Sequence, residues 1–508
     1  MEFIGSIDQG TQSTRFTIYD QQLNVVAYSY AEHEQITPFS GWCEHDPMEI
    51  LEKVYKVLSE AYEEAKNKFT DFTIKCIGIT NQRETIVAWD KTTGKPLYNA
   101  IVWMDARTSN IVDELIKTYG GKGVFTPITG LPINTYFSAV KIRWLIENVQ
   151  NVRQAIENNT LLFGTIDTWL IWNMTGGINH GQYYTDITNA SRTMLFDIHT
   201  CNWSLKMLDL FNIKSSFLPT IKSNSDLFGY INNTRISQYN NTPITGCAGD
   251  QHAACIGQCL FTPGKVKVTF GTGAFFLMNI GNTPSYSNAG LLTTPCYQLG
   301  KDSPVTWALE GSIAIAGSGV SWLKDNLEMI NSPAETEEII RQTVDSEGVV
   351  FVPAFSGLFA PRWRTDVRAG IFGLTLKHTK SHIIRALLES IAFMSLEIID
   401  SMKADTSMKI TSLHVDGGMT KNNLFLQICS DILETRIEKQ PATELTSLGA
   451  AIAAGFYMGL FKSLNDIEKI VQHENILWEP KMDKETIKKK INLWYSTVER
   501  CLNWDDKY

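Results

Sequence analysis

The sequence predicts an α/β protein built from two duplicated domains, in which mixed sheets are flanked by helices and a cleft lies between the halves. Three observations lead to this prediction. The chain has 508 residues, more than a single comfortable core. A polar hairpin pattern opens it at Ile4–Asp20, and the same pattern recurs at Lys265–Asn279. We expect one domain over residues 1–255 and a second over residues 256–508.

The first hairpin is predicted to consist of strands at Phe3–Ile7 and Phe16–Tyr19 joined by a polar turn. Glycine in the turn lets the backbone approach an anion, and hydroxyl and N–H groups can donate to phosphate oxygens. A carboxylate can hold Mg²⁺ through water, and an arginine can neutralise a phosphoryl group. An ordinary hairpin with a solvated polar tip is the alternative. The candidate residues are Asp8, Thr11, Ser13, Thr14 and Arg15.

The second hairpin repeats this design as a strand, a Gly-Thr-Gly turn and another strand. Two such hairpins, each opening a half of similar length, suggest a clamp on the phosphates of one nucleotide. A kinase needs such a clamp because phosphoryl transfer depends on positioning, charge neutralisation and exclusion of water.

Composition limits the classes of partner. The apolar share of 44%, the charged share of 19% and the net charge of −9 indicate a globular protein with no general attraction for nucleic acid or anionic membranes. The nine cysteines include no Cys-x-x-Cys pair, which favours a reduced intracellular protein. Cys255 and Cys259 are interpreted as core residues, with a metal site as the less favoured alternative. The longest apolar run, Leu448–Phe461, is too short to span a bilayer.

Several other elements are predicted from capping and periodicity. Asp46 followed by proline predicts a helix from Pro47 to about Lys68. A long amphipathic helix is expected from a Ser381 cap to about Met402. The segment 186–192 is expected to be a polar loop, and the asparagine-rich segment 230–241 an exposed excursion.

Two segments place polar side chains where a small ligand can be met. Arg83 and Glu84 follow the apolar strand Ile74–Thr80, and strand ends are common ligand sites in α/β sheets. A surface salt bridge is the alternative. Tyr136 begins a segment with helical periodicity. Its hydroxyl either reaches a cleft or is exposed to solvent while the ring packs against the protein.

Asp250 follows an apolar strand and a glycine, and it opens a helix of small residues. A carboxylate at this position can act as a general base toward a substrate hydroxyl. The alternative is that Asp250 only caps the helix.

The second half contains two more small-residue turns. Gly317 and Gly319 precede a helix and can give access to a nucleotide, or they can serve as a packed helix-entry turn. The strand, diglycine turn and helix start around Gly418 and Asn422 are interpreted as the seat of the nucleoside.

Together these residues resemble the FGGY carbohydrate kinases, whose ribonuclease H-like fold is shared with actin, hexokinase and the heat-shock chaperone ATPases. The resemblance runs from Ile7 to about Gly459. Its most specific motifs are Asp8–Thr11, Gly41–Glu49, Gly78–Thr85, Gly94–Trp103, Thr188–Leu195, Ala248–Gln251, Phe270–Gly273 and Asp416–Gly418. Within the family, Asn81–Glu84 with Asn99–Trp103 is most similar to the members that phosphorylate glycerol.

The resemblance implies a role for each candidate residue. Asp250 is the implied base, and Asp8 the residue that helps hold Mg²⁺. Glycerol is implied to meet Arg83, Glu84, Tyr136, Asp250 and Gln251, with Trp103 and Phe275 as apolar walls. ATP or ADP is implied to meet Thr11, Ser13, Thr14, Arg15, Gly271, Thr272, Gly317, Ser321, Gly418 and Asn422.

The implied activity is Mg-ATP-dependent phosphorylation of glycerol to sn-glycerol 3-phosphate by a cytoplasmic protein, most simply a homodimer. The implied partners are therefore small molecules, with no nucleic acid and no membrane span. Two alternatives stay open. One is another FGGY kinase acting on xylulose or gluconate, and the other is an ATP-binding protein of the chaperone or actin type without a second substrate.

Overall fold

The computed structural model describes residues 2–355, 357–364, 366–441, 444–471 and 475–504. Helices and strands alternate along the chain, and two large mixed sheets form its framework.

The first half of the chain builds a six-stranded sheet in the order β13-β14-β5-β1-β2-β3 and a four-stranded sheet in the order β4-β7-β6-β8. Its strands are β1 (Glu2–Gln9), β2 (Ser13–Tyr19), β3 (Val25–Glu32), β4 (Glu44–His45), β5 (Thr73–Asn81), β6 (Ile86–Asp90), β7 (Ala100–Ile101), β8 (Leu161–Thr165), β9 (Tyr184–Asp186), β10 (Phe196–Asp197), β11 (Asn202–Trp203), β12 (Thr220–Lys222), β13 (Ser225–Tyr230) and β14 (Pro243–Gly249). Its helices are α1 (Pro47–Lys68), α2 (Ser109–Tyr119), α3 (Thr126–Thr129), α4 (Ser138–Asn148), α5 (Gln150–Glu157), α6 (Ile166–Met174), α7 (Ile187–Ser191), α8 (Leu205–Phe211) and α9 (Asp250–Gly257), with 3₁₀ turns at Ser215–Phe217 and Thr234–Tyr239.

The second half builds a seven-stranded sheet in the order β17-β18-β16-β15-β21-β22-β23. Its strands are β15 (Val266–Phe270), β16 (Ala274–Gly281), β17 (Leu292–Tyr297), β18 (Thr306–Ile313), β19 (Val350–Val352), β20 (Gly370–Phe372), β21 (Ser412–Asp416), β22 (Arg436–Lys439) and β23 (Ile476–Trp478). Its helices are α10 (Gly317–Asp325), α11 (Glu335–Ile340), α12 (Lys380–Thr406), α13 (Asn423–Leu433), α14 (Leu445–Tyr457), α15 (Leu464–Val471) and α16 (Lys484–Cys501), with a 3₁₀ turn at Gly418–Lys421.

The two large sheets repeat one topology. In the first, β1 and β2 form an antiparallel hairpin, while β1 also pairs in parallel with β5. In the second, β15 and β16 form the hairpin, and β15 pairs in parallel with β21. This repetition confirms the predicted duplication and the α/β fold class.

Helix α14 belongs to the second half of the chain but lies on the first sheet. Backbone meets backbone there, since a Cβ atom on Gly78 would lie 2.1 Å from the carbonyl oxygen of Ala450. The helix also meets α9, where a Cβ on Gly449 would lie 1.8 Å from the carbonyl oxygen of Ala253. Ser6 Oγ donates to the Ser447 carbonyl at 2.7 Å. Small residues are therefore required along this contact.

The predicted bounds of α1 and the burial of the two cysteines are confirmed, whereas the predicted cap of the long helix is wrong. Helix α1 has its predicted bounds, and the Asp46 side chain accepts from Met48 N. The Ser381 cap is wrong, because Thr379 is the N-cap and forms a capping box with His382. Cys255 and Cys259 are buried core residues, as interpreted.

The segment predicted as a polar loop contains a helix, whereas the segment predicted as an exposed excursion is mostly exposed. Residues 186–192 contain the buried helix α7, because the Asp186 carboxylate caps it through Thr188 N and Asn189 N. The segment 230–241 contains a 3₁₀ turn whose Tyr239 is fully buried, and Tyr239 Oη donates to the Leu58 carbonyl at 2.9 Å. Among the described helices, none combines the length and apolar character that a bilayer crossing requires.

Candidate active site

The central polar residues of the site follow the ends of two neighbouring strands, β5 and β14. Strands β5 and β14 run in parallel and are paired up to Asn81 and Gly249. The chain beyond β5 carries Arg83 and Glu84, and the chain beyond β14 continues into α9 at Asp250. Parallel strands end at the same edge of a sheet, so residues far apart in sequence meet there.

Arg83 is buried and is held by three partners. Its Nη1 and Nη2 atoms donate to the two carboxylate oxygens of Glu310, each at 2.8 Å. Its Nε lies 3.3 Å from Asp250 Oδ1, and Nη1 lies 3.2 Å from His252 Nε2. Since the guanidinium is only 2% exposed, the surface salt bridge considered above is wrong for Arg83.

Glu84 is equally buried, and its backbone is left-handed with φ of 59°. Arg192 Nε donates to its carboxylate at 2.6 Å, and Ser138 Oγ donates to its carbonyl at 2.9 Å. Burial raises the pKa of Glu84, while the nearby arginine charges oppose that rise. The side chain is therefore fixed on the inner wall of the site.

Asp250 is the first residue of α9, and Gly249 is the N-cap. The capping alternative is therefore wrong, although Asp250 Oδ1 accepts from Gln251 N at 2.7 Å. Its side chain is 30% exposed, unlike the enclosed carboxylate of Glu310. Burial raises the pKa of Asp250, and the Arg83 charge works against that rise. An accessible carboxylate with a raised pKa is suited to accept a proton.

Aromatic rings stand beside these polar groups. The ring of Trp103 lies 5.5 Å from that of Tyr136 and 6.3 Å from that of Phe275, between ring centroids. Burial raises the pKa of the Tyr136 hydroxyl well above its usual range, so it stays protonated and can donate. The structure thus brings residues from both halves around one apolar-walled space.

Gln251 is anchored from the opposite sheet. The ammonium group of Lys267 donates to its side-chain oxygen and to Thr269 Oγ1, the latter at 2.7 Å. Lys267 is fully buried within β15. The amide nitrogen of Gln251 consequently faces away from Lys267 and is the donor left for a ligand.

The first hairpin lies next to this space. Trp103 Nε1 donates to Thr11 Oγ1 at 2.9 Å, and Arg15 Nη1 lies 3.4 Å from Asp8 Oδ2. Burial raises the pKa of Asp8 to about 6, with Arg15 acting in the opposite direction. Ser13 and Thr14 are buried, and Thr14 Oγ1 has no hydrogen-bond partner among the described residues.

A cavity of about 800 Å³ opens beside the second hairpin. It is lined by all six candidate nucleotide residues from the second half, and Gln12 at the tip of the first hairpin also lines it. Asp8, Thr11, Ser13, Thr14 and Arg15 do not line it themselves. The six residues are Gly271, Thr272, Gly317, Ser321, Gly418 and Asn422.

Close backbone packing shapes this cavity. A Cβ on Gly317 would lie 2.6 Å from the carbonyl oxygen of Gly271, whereas a Cβ on Gly418 would meet no atom within 4 Å. Asn422 caps α13 through Phe425 N at 2.8 Å and donates to Thr336 Oγ1 at 3.1 Å. Both ends of the Asn422 amide are therefore already engaged.

Sequence reasoning missed four residues that the structure brings to the site: Glu310, Arg192, Lys267 and Gln12. A signal for the first was present, because Glu310 interrupts the apolar strand β18 and a carboxylate there requires a buried cationic partner. Lys267 lies in β15, where apolar and polar residues alternate as in a strand with one exposed face. The sequence therefore does not show that Lys267 is buried. Arg192 lay in the segment expected to be a loop.

Comparison with known proteins points to one family. Residues 3–257 match the N-terminal domain and residues 266–458 the C-terminal domain of the FGGY family of carbohydrate kinases. The chain is 48% identical to glycerol kinase of Brucella anthropi over 99% of both chains. It is 47% identical to that of Arabidopsis thaliana over 99% of this chain and 98% of the plant protein.

Solved structures give the same result. The crystal structure of Plasmodium falciparum glycerol kinase with ADP superimposes with a TM-score of 0.93 at 48% identity, covering 99% of this chain and 98% of that one. Xylulose kinase from Lactobacillus acidophilus is 22% identical, with a TM-score of 0.87 over 98% of both chains, and shares the fold. The duplicated sheets, the cavity between the hairpins and these similarities lead to one conclusion: the chain belongs to the FGGY family of carbohydrate kinases, among the glycerol kinases.

Proposed function

We propose that the described site transfers the γ-phosphoryl group of ATP to the C3 hydroxyl of glycerol, with Asp250 as the general base. The observation that carries this proposal is the accessible Asp250 carboxylate, 3.3 Å from the buried Arg83 guanidinium and beside an aromatic-walled space. A small triol needs several fixed donors and acceptors together with a wall for its carbon chain.

Each polar wall residue has a defined part in binding glycerol. Arg83 and the Gln251 amide donate to hydroxyl oxygens, Glu84 accepts from a hydroxyl, and the Tyr136 hydroxyl donates. Trp103 and Phe275 contact the CH edges of the carbon chain. Because Arg83 and Glu84 are held by other charged residues, they are preorganised, and little side-chain entropy is lost on binding.

The chemical step then follows an in-line course. The Asp250 carboxylate accepts the proton of the C3 hydroxyl as that oxygen forms its bond to the γ-phosphorus. The bond from the γ-phosphorus to the bridging oxygen breaks, and its electron pair leaves with ADP. The Arg15 guanidinium and the Thr272 N–H stabilise the negative charge of the phosphoryl oxygens, and Gly271, whose own N–H donates to the Gly273 carbonyl at 2.9 Å, lets the backbone approach them.

The cavity beside the second hairpin is proposed to bind the nucleotide. Gly317, Ser321, Gly418 and Asn422 surround the nucleoside, and the phosphates extend toward the first hairpin, where Thr11, Ser13 and Thr14 offer donors. The presence of Gln12 on the cavity wall supports this direction, since it links the cavity to the turn that carries those residues.

The residues around Asp8 fit a magnesium ion. The carboxylate is buried, and burial raises its pKa to about 6 although the nearby Arg15 charge lowers it. Its one ion pair among the described residues is with Arg15, whose Nη1 lies 3.4 Å from Asp8 Oδ2. Carboxylate and hydroxyl oxygens are ligands that Mg²⁺ accepts, often through water. A bound Mg²⁺ would neutralise phosphate charge, with Asp8 as the residue that holds it.

Domain limits of 1–255 and 256–508, a cytoplasmic location and a homodimer complete the proposal. The nine cysteines are all free thiols, which supports a reducing compartment. The resemblance to FGGY kinases supports assembly into a dimer. Light scattering during gel filtration tests the dimer, and cell fractionation tests the location.

The decisive experiment measures ADP release by the purified protein with Mg-ATP and either glycerol, xylulose or gluconate. Glycerol-dependent ADP release with little response to the two sugars supports the proposal. A preference for xylulose or gluconate would instead indicate another substrate for the same fold. ATP hydrolysis that glycerol does not stimulate would favour the chaperone or actin class.

A further inference from the structure

The Glu310 carboxylate lies at the centre of the site but has no role in the proposed chemistry. Glu310 occupies the middle of β18 in the second sheet, and its side chain is 1% exposed. It crosses the boundary between the two halves to contact Arg83 and Arg192. Its Oε1 and Oε2 atoms accept from Arg83 at 2.8 Å, and Oε2 also accepts from Arg192 Nη1 at 3.1 Å.

The first contact determines how Arg83 meets a ligand. A guanidinium has five N–H donors in a rigid plane. Glu310 takes two of them, Asp250 faces the Nε–H, and His252 Nε2 faces Nη1. Burial lowers the pKa of His252, so the ring is neutral, and its Nδ1 lies 3.3 Å from the Cys296 carbonyl, which leaves Nε2 as an acceptor. One Nη2 hydrogen is thus left for a substrate hydroxyl.

The second contact acts on the other charged glycerol residue. Arg192 lies between two carboxylates, with Nη1 toward Glu310 and Nε toward Glu84 at 2.6 Å. Because Arg192 is completely buried, it cannot exchange Glu310 for water as a partner. The orientation of Glu84 therefore depends on Glu310 through one intervening side chain.

The fully buried charges in this cluster balance only when Glu310 is included. Arg83 and Arg192 face the buried carboxylates of Glu84 and Glu310, while the Asp250 carboxylate is 30% exposed. Buried charges are tolerated when they are paired, and removal of one partner leaves the others strongly destabilised. Without Glu310, the two guanidiniums would compete for Glu84 and Asp250, the two carboxylates that glycerol needs.

We propose that Glu310 is a positioning residue for glycerol: from the second half of the chain it fixes Arg83 directly and Glu84 through Arg192. This inference rests on the glycerol-binding roles proposed for Arg83 and Glu84. It also makes the alcohol pocket dependent on correct placement of the second sheet against the first.

A consequence for the base separates this role from a purely structural one. The charged and titratable groups around Asp250 are Arg83, Lys267, Glu310 and Asp8, with neutral His252 on its own helix. Glu310 opposes the Arg83 charge and so keeps the pKa of Asp250 higher. If the negative charge of Glu310 is removed, Arg83 acts more fully on Asp250, and the acid limb of the pH–rate profile moves to lower pH.

The test compares two variants by steady-state kinetics at saturating Mg-ATP. Glu310→Gln keeps the shape, loses the charge and turns an N–H toward a guanidinium. We expect its KM for glycerol to rise by about 10- to 100-fold and its KM for ATP to change by less than about 3-fold, as for loss of a buried charged hydrogen bond. Its acid limb should move to lower pH.

Glu310→Asp keeps the charge but withdraws it by one methylene. We expect its KM for glycerol to rise by about 3- to 10-fold. The acid limb of its pH–rate profile should lie at the same pH as in the unaltered protein. If the glutamine variant does not fold, the glycerol KM of the aspartate variant decides alone: an unchanged value overturns the proposal.

Glu389→Gln is the matched control. Glu389 is another buried carboxylate with two cationic partners, Arg385 at 3.0 Å and Lys490 at 3.1 Å, and it lies on α12 without lining the nucleotide cavity. This variant should lower the melting temperature but leave the glycerol KM and the pH profile unchanged.

The outcomes also separate this inference from the function on which it rests. If Arg83→Gln leaves the glycerol KM unchanged, the proposed pocket itself is wrong. If Arg83→Gln raises that KM but Glu310→Gln leaves both the KM and the acid limb as they were, the pocket stands and the positioning role of Glu310 is refuted.

Discussion

Replacement of the base gives the sharpest test of the chemistry. Asp250→Asn keeps an oxygen that can accept from Gln251 N and face Arg83 Nε, so the surrounding hydrogen bonds are preserved. Arg83 also keeps both bonds to Glu310. The amide cannot accept the proton of the glycerol hydroxyl. We therefore expect the fold and the ligand pockets to persist while turnover falls.

The size of the fall follows from what general-base help contributes. Such help accelerates reactions by about 10²- to 10⁴-fold, which corresponds to about 2.7–5.4 kcal/mol in activation free energy. We expect kcat to drop within this range, whereas the affinity for ADP, measured by calorimetry, should change by less than about 2-fold because the nucleotide cavity does not include Asp250.

The pH dependence provides a second measure in the same assay. Burial raises the pKa of Asp250, and the base must be ionised to act, so activity declines as the pH falls through that raised pKa. Replacement by asparagine should abolish this decline as well as lower the rate. Asp250→Glu, which retains a displaced carboxylate, is the matched control and should keep the decline. A kcat for Asp250→Asn within about 3-fold of the unaltered protein would refute the assignment.

Four further outcomes are expected. Arg83→Gln should raise the KM for glycerol by about 10-fold or more and leave the KM for ATP nearly unchanged in coupled ADP-release assays, and the reverse pattern would contradict the pocket. Gly317→Ala should weaken ADP binding because its Cβ would lie 2.6 Å from a backbone oxygen, while Gly418→Ala, with open space around it, should bind ADP within about 2-fold of normal in calorimetry. Trp103→Phe removes a 2.9 Å hydrogen bond to the first hairpin and should raise the KM values for both substrates, so a change confined to one of them would disprove the link. Gly449→Ala should lower the stability by about 1–3 kcal/mol or more through overpacking, and an unchanged melting temperature in a thermal scan would show that the helix contact relaxes freely.

The hairpins and α1 could be predicted because their signals are local. Alternating apolar residues around a glycine-rich turn define β1–β2 and β15–β16, and an aspartate followed by proline defines the start of α1. These patterns depend on backbone geometry within a few residues. The duplicated fold followed from finding the same local pattern twice.

The cross-half contacts could not be predicted in the same way. The pattern around Glu310 shows that a charge enters an apolar strand, but nothing near it in sequence identifies Arg83 and Arg192 as partners. Helix α7 was missed because polar residues that look like a loop are buried and bonded to one another and to distant residues, as Asn189 is to Asn81. Such pairings depend on topology, which places residues 108 positions apart side by side.

The position of α14 has a consequence for synthesis. One face of the first sheet, built by residues 2–249, is covered by α14. Ala450 and Ser447 of that helix lie directly against the sheet, so this face stays uncovered until the chain beyond residue 444 has been made. A fragment that stops at residue 255 would expose the apolar face around Gly78 and Ile4. We therefore expect the apolar face of the first sheet to stay exposed during synthesis until α14 has emerged from the ribosome.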